Sequence, residues 1–251
     1  MVKDILKLNK NPYICIPITG KTDGELLNEL AKIIPLKPDV IEWRVDFYEQ
    51  INKTEAVLNM LNEMKKVTTV PLLFTIRSVA EGGEEISLNS RSEVFQLMKE
   101  VCRSSHVKMI DIEIANDDNI IKELQRIAQT HKVKTILSSH HFEKTPMRKE
   151  LIQIGERAVE LGGDIVKIAV MPREKSDVLE LLHVTNELDQ TLEIPVVTMS
   201  MGKLGGISRL IGWTYGSMMT FAIGKKASAP GQLPIGQLRE AIQKTQTLLN
   251  E

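Results

Sequence analysis

Short apolar runs rich in β-branched residues alternate along this chain with stretches whose apolar positions recur at helical spacing. Runs apolar on both faces fit buried parallel strands, and i, i+3, i+4 recurrence marks amphipathic helices. Tyr13–Ile18 is the first run and ends at Thr19-Gly20. Asp23 then suits an N-cap, with Leu26, Leu27, Leu30, Ala31 and Ile34 on one stripe before Pro35 and Pro38 close the unit. Val40–Val45 reads as the second strand, followed by a helix from Thr54 with Val57, Met60, Leu61 and Met64 inward. Leu72–Ile76 is the third, leading into a polar loop through Glu81-Gly82-Gly83-Glu84 and a helix from Ser90 or Ser92 to near Arg103. Met109–Ile114 precedes a helix over Asp117–Thr130 with Ile120, Ile121, Leu124 and Ile127 inward.

The second half repeats the pattern. Val133–Ser138 is the fifth strand, and Thr145-Pro146 reads as an N-cap followed by Pro at the first helical position, with Gly162-Gly163 as the stop. Asp164–Pro172 is the sixth strand and Ser176–Leu188 its helix. Pro195–Ser200 is the seventh, with a short helix after Gly206. Ser217–Ile223 is the eighth, and Pro234–Asn250 a closing helix carrying Leu238, Ile242, Thr245 and Leu249. Strict alternation implies a parallel sheet with right-handed crossovers. Eight units in 251 residues predict one α/β domain spanning 1–251, a single-domain (β/α)8 TIM barrel. A doubly wound open sheet would carry a glycine fingerprint after its first strand, where this chain has only Thr19-Gly20. The first eleven residues are expected to form a short N-terminal segment capping the barrel bottom.

Composition removes several function classes. With 32 basic and 33 acidic residues the net charge is −1 and no block is strongly of one sign, so nucleic acid and anionic membranes are not expected partners. Met1–Lys10 lacks the apolar core of a signal peptide, and no run approaches the ~18 residues of a membrane helix. Cys15 and Cys102 have no metal-ligand spacing and read as small core residues. A soluble cytoplasmic protein is expected.

The charges that interrupt the strands carry the candidate chemistry. In a (β/α)8 barrel the active site is built at the C-terminal strand ends. There the chain places Glu42, Arg44 and Asp46 on one face at the end of strand two, Arg77 and Glu81 after strand three, and Asp111 and Glu113 on strand four. Strand five runs out into Ser138-Ser139-His140-His141, and strand seven holds Thr198, Met199, Ser200 and Met201. Lys167 stands alone in the apolar sixth strand, sharing a face with Ile165 and Ala169. Burial disfavours a charged amine, and a neutral one attacks carbonyls, so Lys167 is a candidate Schiff-base nucleophile. Each group also has a structural reading. Lys167 could pair with Glu113 or Asp111, and Glu42, Arg44, Asp111 and Glu113 could form a salt-bridge ring. His140 could be a satisfied loop residue, and His106, His131 and His183 read as structural. Adjacent His140 and His141 project differently, so joint chelation of a metal is not expected. The Gly202…Gly205-Gly206 loop could cradle a phosphate or serve a tight turn.

Taken together, the motifs resemble those of the type I 3-dehydroquinate dehydratases, Schiff-base enzymes of the shikimate pathway. The likeness runs from about Tyr13 to the C-terminus. It rests on Glu42-Trp43-Arg44-Val45-Asp46, Phe74-Thr75-Ile76-Arg77-Ser78, Glu81-Gly82-Gly83 and Ser139-His140-His141-Phe142. It continues in Val166-Lys167-Ile168-Ala169, Thr198-Met199-Ser200-Met201-Gly202, Ile207-Ser208-Arg209-Leu210 and Ala227-Ser228-Ala229-Pro230-Gly231-Gln232.

The resemblance implies a hydro-lyase that converts 3-dehydroquinate to 3-dehydroshikimate, the third step of chorismate and aromatic amino acid biosynthesis. It implies that Lys167 forms the imine, that His140 is general base and then acid, and that Glu81 orients and charges His140. It implies that Arg209 pairs with the substrate carboxylate, helped by Ser228 and Gln232 in a loop expected to close over the site. By the same resemblance Glu42, Arg44 and Arg77 hold ring hydroxyls, while Met199, Met201 and Phe221 line the apolar wall. A homodimer is implied, and the chemistry requires no cofactor or metal. Two departures stand out: the family commonly has His-Asp-Phe at His140-His141-Phe142, and often a serine where this chain has Pro17. A class I aldolase and a non-catalytic sugar-acid-binding barrel are the alternatives. A phosphate held by the glycine loop would favour the first, and binding without turnover the second.

Overall fold

The computed structural model describes residues 11–88, 90–224 and 231–250. Eight parallel strands form the centre: β1 Tyr13–Ile18, β2 Val40–Arg44, β3 Leu72–Thr75, β4 Met109–Glu113, β5 Lys134–His141, β6 Ile165–Val170, β7 Val196–Ser200 and β8 Met219–Ile223. A two-residue strand, β9 Leu233–Pro234, adds to β8. The helices are α1 Asp23–Ile33, α2 Thr54–Val67, α3 Arg91–Ser104, α4 Asp118–Thr130, α5 Arg148–Glu160, α6 Lys175–Thr191, α7 Gly202–Ile211 and α8 Ile235–Asn250. Hydrogen bonding runs in the order β7-β6-β5-β4-β3-β2-β1-β8-β9. The ring closes where Ser217 bridges Val196 and Met218 N donates to Val196 O at 2.9 Å. The expected (β/α)8 barrel is the observed fold. The N-terminal segment expected to cap its bottom lies outside the described residues, apart from Asn11.

Strand alternation divides the core in two. Inward positions Cys15, Val40, Leu73, Met109, Ile136, Ile165, Val197 and Met219 fill the barrel, with Ala169, Met199, Met201 and Phe221 towards its C-terminal mouth. Outward positions such as Ile16, Ile41, Phe74, Ile110, Leu137, Val166 and Val196 pack under the helices. Trp43 anchors that outer layer, edge-on to Tyr48 and Phe74 at 5.4 and 5.9 Å.

Several boundaries differ from expectation, each for a local reason. The side chain of Thr22 accepts from Glu25 N, so Asp23 is the first helical residue rather than the cap. Thr145 spends its hydroxyl on Met171 O, so α5 starts at Arg148 with Met147 N donating to Glu150 Oε2 at 2.9 Å. α7 begins at Gly202, not after Gly206. On α4, Ile121 and Leu124 are buried as expected, whereas Ile120 and Ile127 are half-buried; Ala128 and Gln125 complete the inner face. Of the positions that mark α8, Leu238 and Ile242 pack on the barrel, while Leu249 is exposed.

Candidate active site

Each polar side chain at the mouth is placed by strand register. β5 runs three residues further than expected, to His141, so His140 belongs to a strand and pairs with Ala169 of β6. Ser138 lies beside Lys167 in the same ladder. His140 therefore stands one inward step nearer the mouth than Lys167, a rise of about 7 Å on the neighbouring strand. Alternation turns Ser139 and His141 the other way. His141 Nε2 meets Ser139 Oγ at 3.0 Å and lines a separate cavity with Lys144, Pro146 and Glu150. The second histidine, the family departure, thus lies on the opposite side of the strand from the mouth.

Lys167 is 4% exposed, as its place on a covered strand required. Its ammonium is not in purely apolar surroundings. Nζ donates to Asp111 Oδ2 at 3.1 Å, lies 3.6 Å from Glu42 Oε1 and sits over the Phe221 ring at 4.7 Å. Of the structural partners foreseen for it, Asp111 is present, and Glu42 takes the place expected for Glu113.

Arg77 organises the wall. Its guanidinium reaches Asp111 Oδ1 at 2.8 Å, Ser138 Oγ at 3.0 Å, Glu113 Oε1 at 3.2 Å and Glu81 Oε2 at 3.3 Å. Burial opposes its charge, but Asp111, Glu113 and Glu81 together hold its pKa above the ordinary value. Glu113 also accepts from Ser78 N at 2.8 Å, which ties the loop after β3 to β4. Arg44 is held to one side by a two-pronged pair with Asp46, at 2.9 and 2.7 Å. Glu42 accepts from Thr75 Oγ1 at 2.9 Å.

The His140–Glu81 pair is the site's acid–base unit, with Nδ1 2.7 Å from Oε2. Burial, then Glu113, pushes the Glu81 carboxyl up to about 8 against the pull of Arg77. Burial, then the cations Arg77 and Lys167, holds His140 well below its ordinary value. Glu81, expected to favour the charged imidazole, is the carboxylate at Nδ1, while burial and the two cations act against that charge. Desolvation and two nearby cations outweigh one carboxylate that is itself reluctant to ionise. Gly82 fixes the turn that carries Glu81. Its φ is +81°, and a Cβ there would fall 2.3 Å from the Phe142 ring.

Arg209 projects from α7, 2% exposed, with Nη1 3.7 Å from Met199 Sδ. Burial lowers its guanidinium to about 10. Glu42, Arg44, Arg77, Glu81, His140, Lys167, Met199, Met201, Arg209, Phe221 and Gln232 line one cavity of about 70 Å³, joined by Gly82, Phe142 and Ala169. Ser228 lies outside the described residues. Sequence reasoning left Asp111, Glu113 and Ser138 without a functional role. The two-residue spacing of the acids on a barrel strand already placed them on the inner face beside Lys167. A larger cavity, about 430 Å³, lies outside the wall under α3; Arg77 and Glu81 line both cavities, while Asp111 and Glu113 line the larger one. It contains neither Lys167 nor His140, so its size does not mark it as the centre of the chemistry.

Fold and site together define a (β/α)8-barrel enzyme with its polar machinery at the C-terminal strand ends. The family model of type I 3-dehydroquinase matches residues 14–248. A 3-dehydroquinate dehydratase from Albidiferax ferrireducens is 46% identical over 246 residues, covering 95% of this chain and 93% of its own. The crystal structure of the Geobacillus kaustophilus 3-dehydroquinate dehydratase superposes with a TM-score of 0.92 at 41% identity, covering 94% of this chain and 91% of that one. A Clostridium difficile type I enzyme with covalent modified comenic acid gives 0.90 at 41% identity, covering 94% and 92%. The chain belongs to the type I 3-dehydroquinase family, and the dehydration of 3-dehydroquinate is its reaction.

Proposed function

We propose that this chain dehydrates 3-dehydroquinate through a covalent imine on Lys167, with His140 as general base and then acid. The observation that carries the reading is the placement of a buried amine one inward step below a His–Glu pair on adjoining strands. An imine at Nζ puts the carbon next to it on the mouth side, towards His140.

The Lys167 ammonium gives up a proton and the freed Nζ lone pair bonds to the ketone carbon; a second N–H proton follows, both go to the ketone oxygen, which leaves as water, and the iminium keeps one N–H. Nε2 of His140 takes a proton from the adjacent carbon, and the freed pair moves into the iminium to form an enamine. The enamine pair then expels the β-hydroxyl, which takes the proton from His140 and departs as water. Hydrolysis of the conjugated iminium releases 3-dehydroshikimate and restores the amine. Positioned acid–base catalysis of this kind contributes roughly 10²–10⁴-fold.

Arg209 offers the substrate carboxylate a planar fork, and a buried guanidinium gains most from such a partner. Gln232 and Ser228 assist it. Glu42, Arg44 and Arg77 meet ring hydroxyls, and Met199, Met201 and Phe221 form the apolar wall. The protein acts in the cytoplasm as a homodimer, at the third step of chorismate and aromatic amino acid biosynthesis. Among the described residues no helix is long and apolar enough to cross a membrane. The dimer would be overturned by a sedimentation mass equal to one chain.

Borohydride reduction in the presence of 3-dehydroquinate, followed by peptide mass spectrometry, tests the mechanism. A reduced adduct on the peptide containing Lys167 is expected, with none in Lys167→Ala. A wild-type enzyme that turns over substrate yet carries no adduct at Lys167 overturns the reading.

A further inference from the structure

Asp111 sits at the floor of the site, 2% exposed, and its two carboxylate oxygens face different partners. Oδ1 accepts from Ser138 Oγ at 2.6 Å and is ion-paired with Arg77 Nη2 at 2.8 Å. Oδ2 accepts from Lys167 Nζ at 3.1 Å. The one hydroxyl hydrogen of Ser138 goes to Asp111, which leaves the hydroxyl oxygen to accept from Arg77 Nη1 at 3.0 Å. The partners come from β5, β6 and the segment just after β3, so the carboxylate of this β4 residue cannot rotate without breaking a contact to another part of the wall. Burial would raise this carboxyl, but Arg77 and then Lys167 hold it well below the usual carboxylate range. It stays ionised wherever the enzyme works, which unfits it for shuttling protons and suits it to be a fixed charge.

We infer that Asp111, locked by Ser138 and Arg77, is a positioning residue that holds Lys167 Nζ for attack and serves as the counter-ion of the iminium. This rests on the reading of Lys167 as the nucleophile. When Nζ bonds to the ketone carbon, the former ammonium loses two of its three protons, the oxygen gains both and leaves as water, and the iminium nitrogen keeps a single N–H. Oδ2 is the acceptor placed for that N–H, and accepting it would set the plane of the C=N bond. Proton loss from the neighbouring carbon turns the iminium into a neutral enamine. A fixed negative charge stabilises the first more than the second. Asp111 therefore raises the amount of iminium formed while restraining the proton abstraction that follows. Arg77, 2.8 Å from Oδ1, moderates that restraint.

The test compares full-length wild type, Asp111→Asn and Ser138→Ala with 3-dehydroquinate. Two quantities are read: the rate of borohydride trapping at Lys167, and α-proton loss per trapped imine, as dehydration plus exchange into D2O. Asp111→Asn should trap about tenfold or more slowly, the scale of a lost charged hydrogen bond, with α-proton loss per imine at or above the wild-type value. Ser138→Ala, which keeps the charge and frees its orientation, should slow trapping about two- to fivefold in the same sense. Trapping at the wild-type rate in both variants overturns the inference. So does a loss of α-proton release per imine that parallels the loss of trapping, the mark of a merely disturbed pocket. If circular dichroism shows Asp111→Asn unfolded, Ser138→Ala decides alone, and unchanged trapping there is the overturning result. Absence of any Lys167 adduct in the wild type would instead overturn the Schiff-base reading, and this inference with it.

Discussion

At the scale of single residues, the His140–Glu81 contact sets the pH at which the site works. Glu81 is pushed up to about 8 and His140 is held below its ordinary value, so the two titrate as a pair. Above that pH, ionised Glu81 accepts Nδ1–H of a neutral imidazole and Nε2 is free to take a proton. Below it, the added proton either neutralises Glu81, so that Nδ1 turns acceptor and Nε2 carries the ring hydrogen, or makes imidazolium. Either way Nε2 is no longer a base. The free-enzyme profile of kcat/KM should therefore fall tenfold per pH unit on the acid side of about 8. In Glu81→Gln that limb should move to lower pH, because only His140 remains to titrate, with the plateau rate about tenfold or more lower. A wild-type limb already centred near 6.5, unmoved by the substitution, would contradict a coupled pair.

At the scale of elements, α7 shows how a helix delivers a substrate-facing charge. Ser200 N donates to Ser208 Oγ at 2.9 Å, and that hydroxyl donates to Gly205 O at 2.7 Å, which seats the helix on the end of β7. The seat has no spare room, since a Cβ on Gly205 would fall 2.3 Å from the Ser200 carbonyl carbon and oxygen. Gly205→Ala should shift α7, and Arg209 with it. Expected losses are about 1–3 kcal/mol in urea unfolding and roughly tenfold or more in kcat/KM. An unchanged KM and urea midpoint would mean that the helix does not depend on this seat. The same segment shows where sequence reading fails. Its glycines hide helical periodicity, so a helix that begins at Gly202 reads as a loop up to Gly206. β5 was cut short for a related reason: Ser138-Ser139-His140-His141 has no apolar residue to extend the strand pattern, because its inward positions face charges and not a greasy core. By contrast, the two-sided apolar runs at β1 and β6 announced themselves, and Lys167 stood out because it breaks one. What could not be read was pairing. Nothing in the order of residues says that Lys167 meets Glu42 and not Glu113, since that depends on how far each side chain reaches across the closed ring.

At the scale of the whole molecule, the barrel has one narrow seam. Neighbouring strands from β1 round to β7 pair over three to six residues, whereas among the described residues the backbone pairing between β7 and the start of β8 runs through Val196, Ser217 and Met218. Ser217 staples that seam from the inside of the fold. Its hydroxyl accepts from Thr198 N at 3.0 Å and lies 3.3 Å from both Thr198 O and Met219 O. Ser217 is 4% exposed, so water has no ready access to replace it. Ser217→Ala leaves a buried Thr198 N–H without its acceptor, a loss of about 1–3 kcal/mol. For a chain of this size that lowers Tm by roughly 2–12 °C. Thr130→Ala removes a hydroxyl from an exposed helical position where it donates to Arg126 O, and should leave stability within about 0.5 kcal/mol. Hydrogen exchange locates the effect: Thr198 and Met218 amides should exchange faster in Ser217→Ala, while those of β3 and β4, on the far side of the ring, keep their protection. A Tm loss no larger than that of Thr130→Ala, with Thr198 still protected, would show that the ring is closed by side-chain packing around β7 and β8 and not by this hydroxyl.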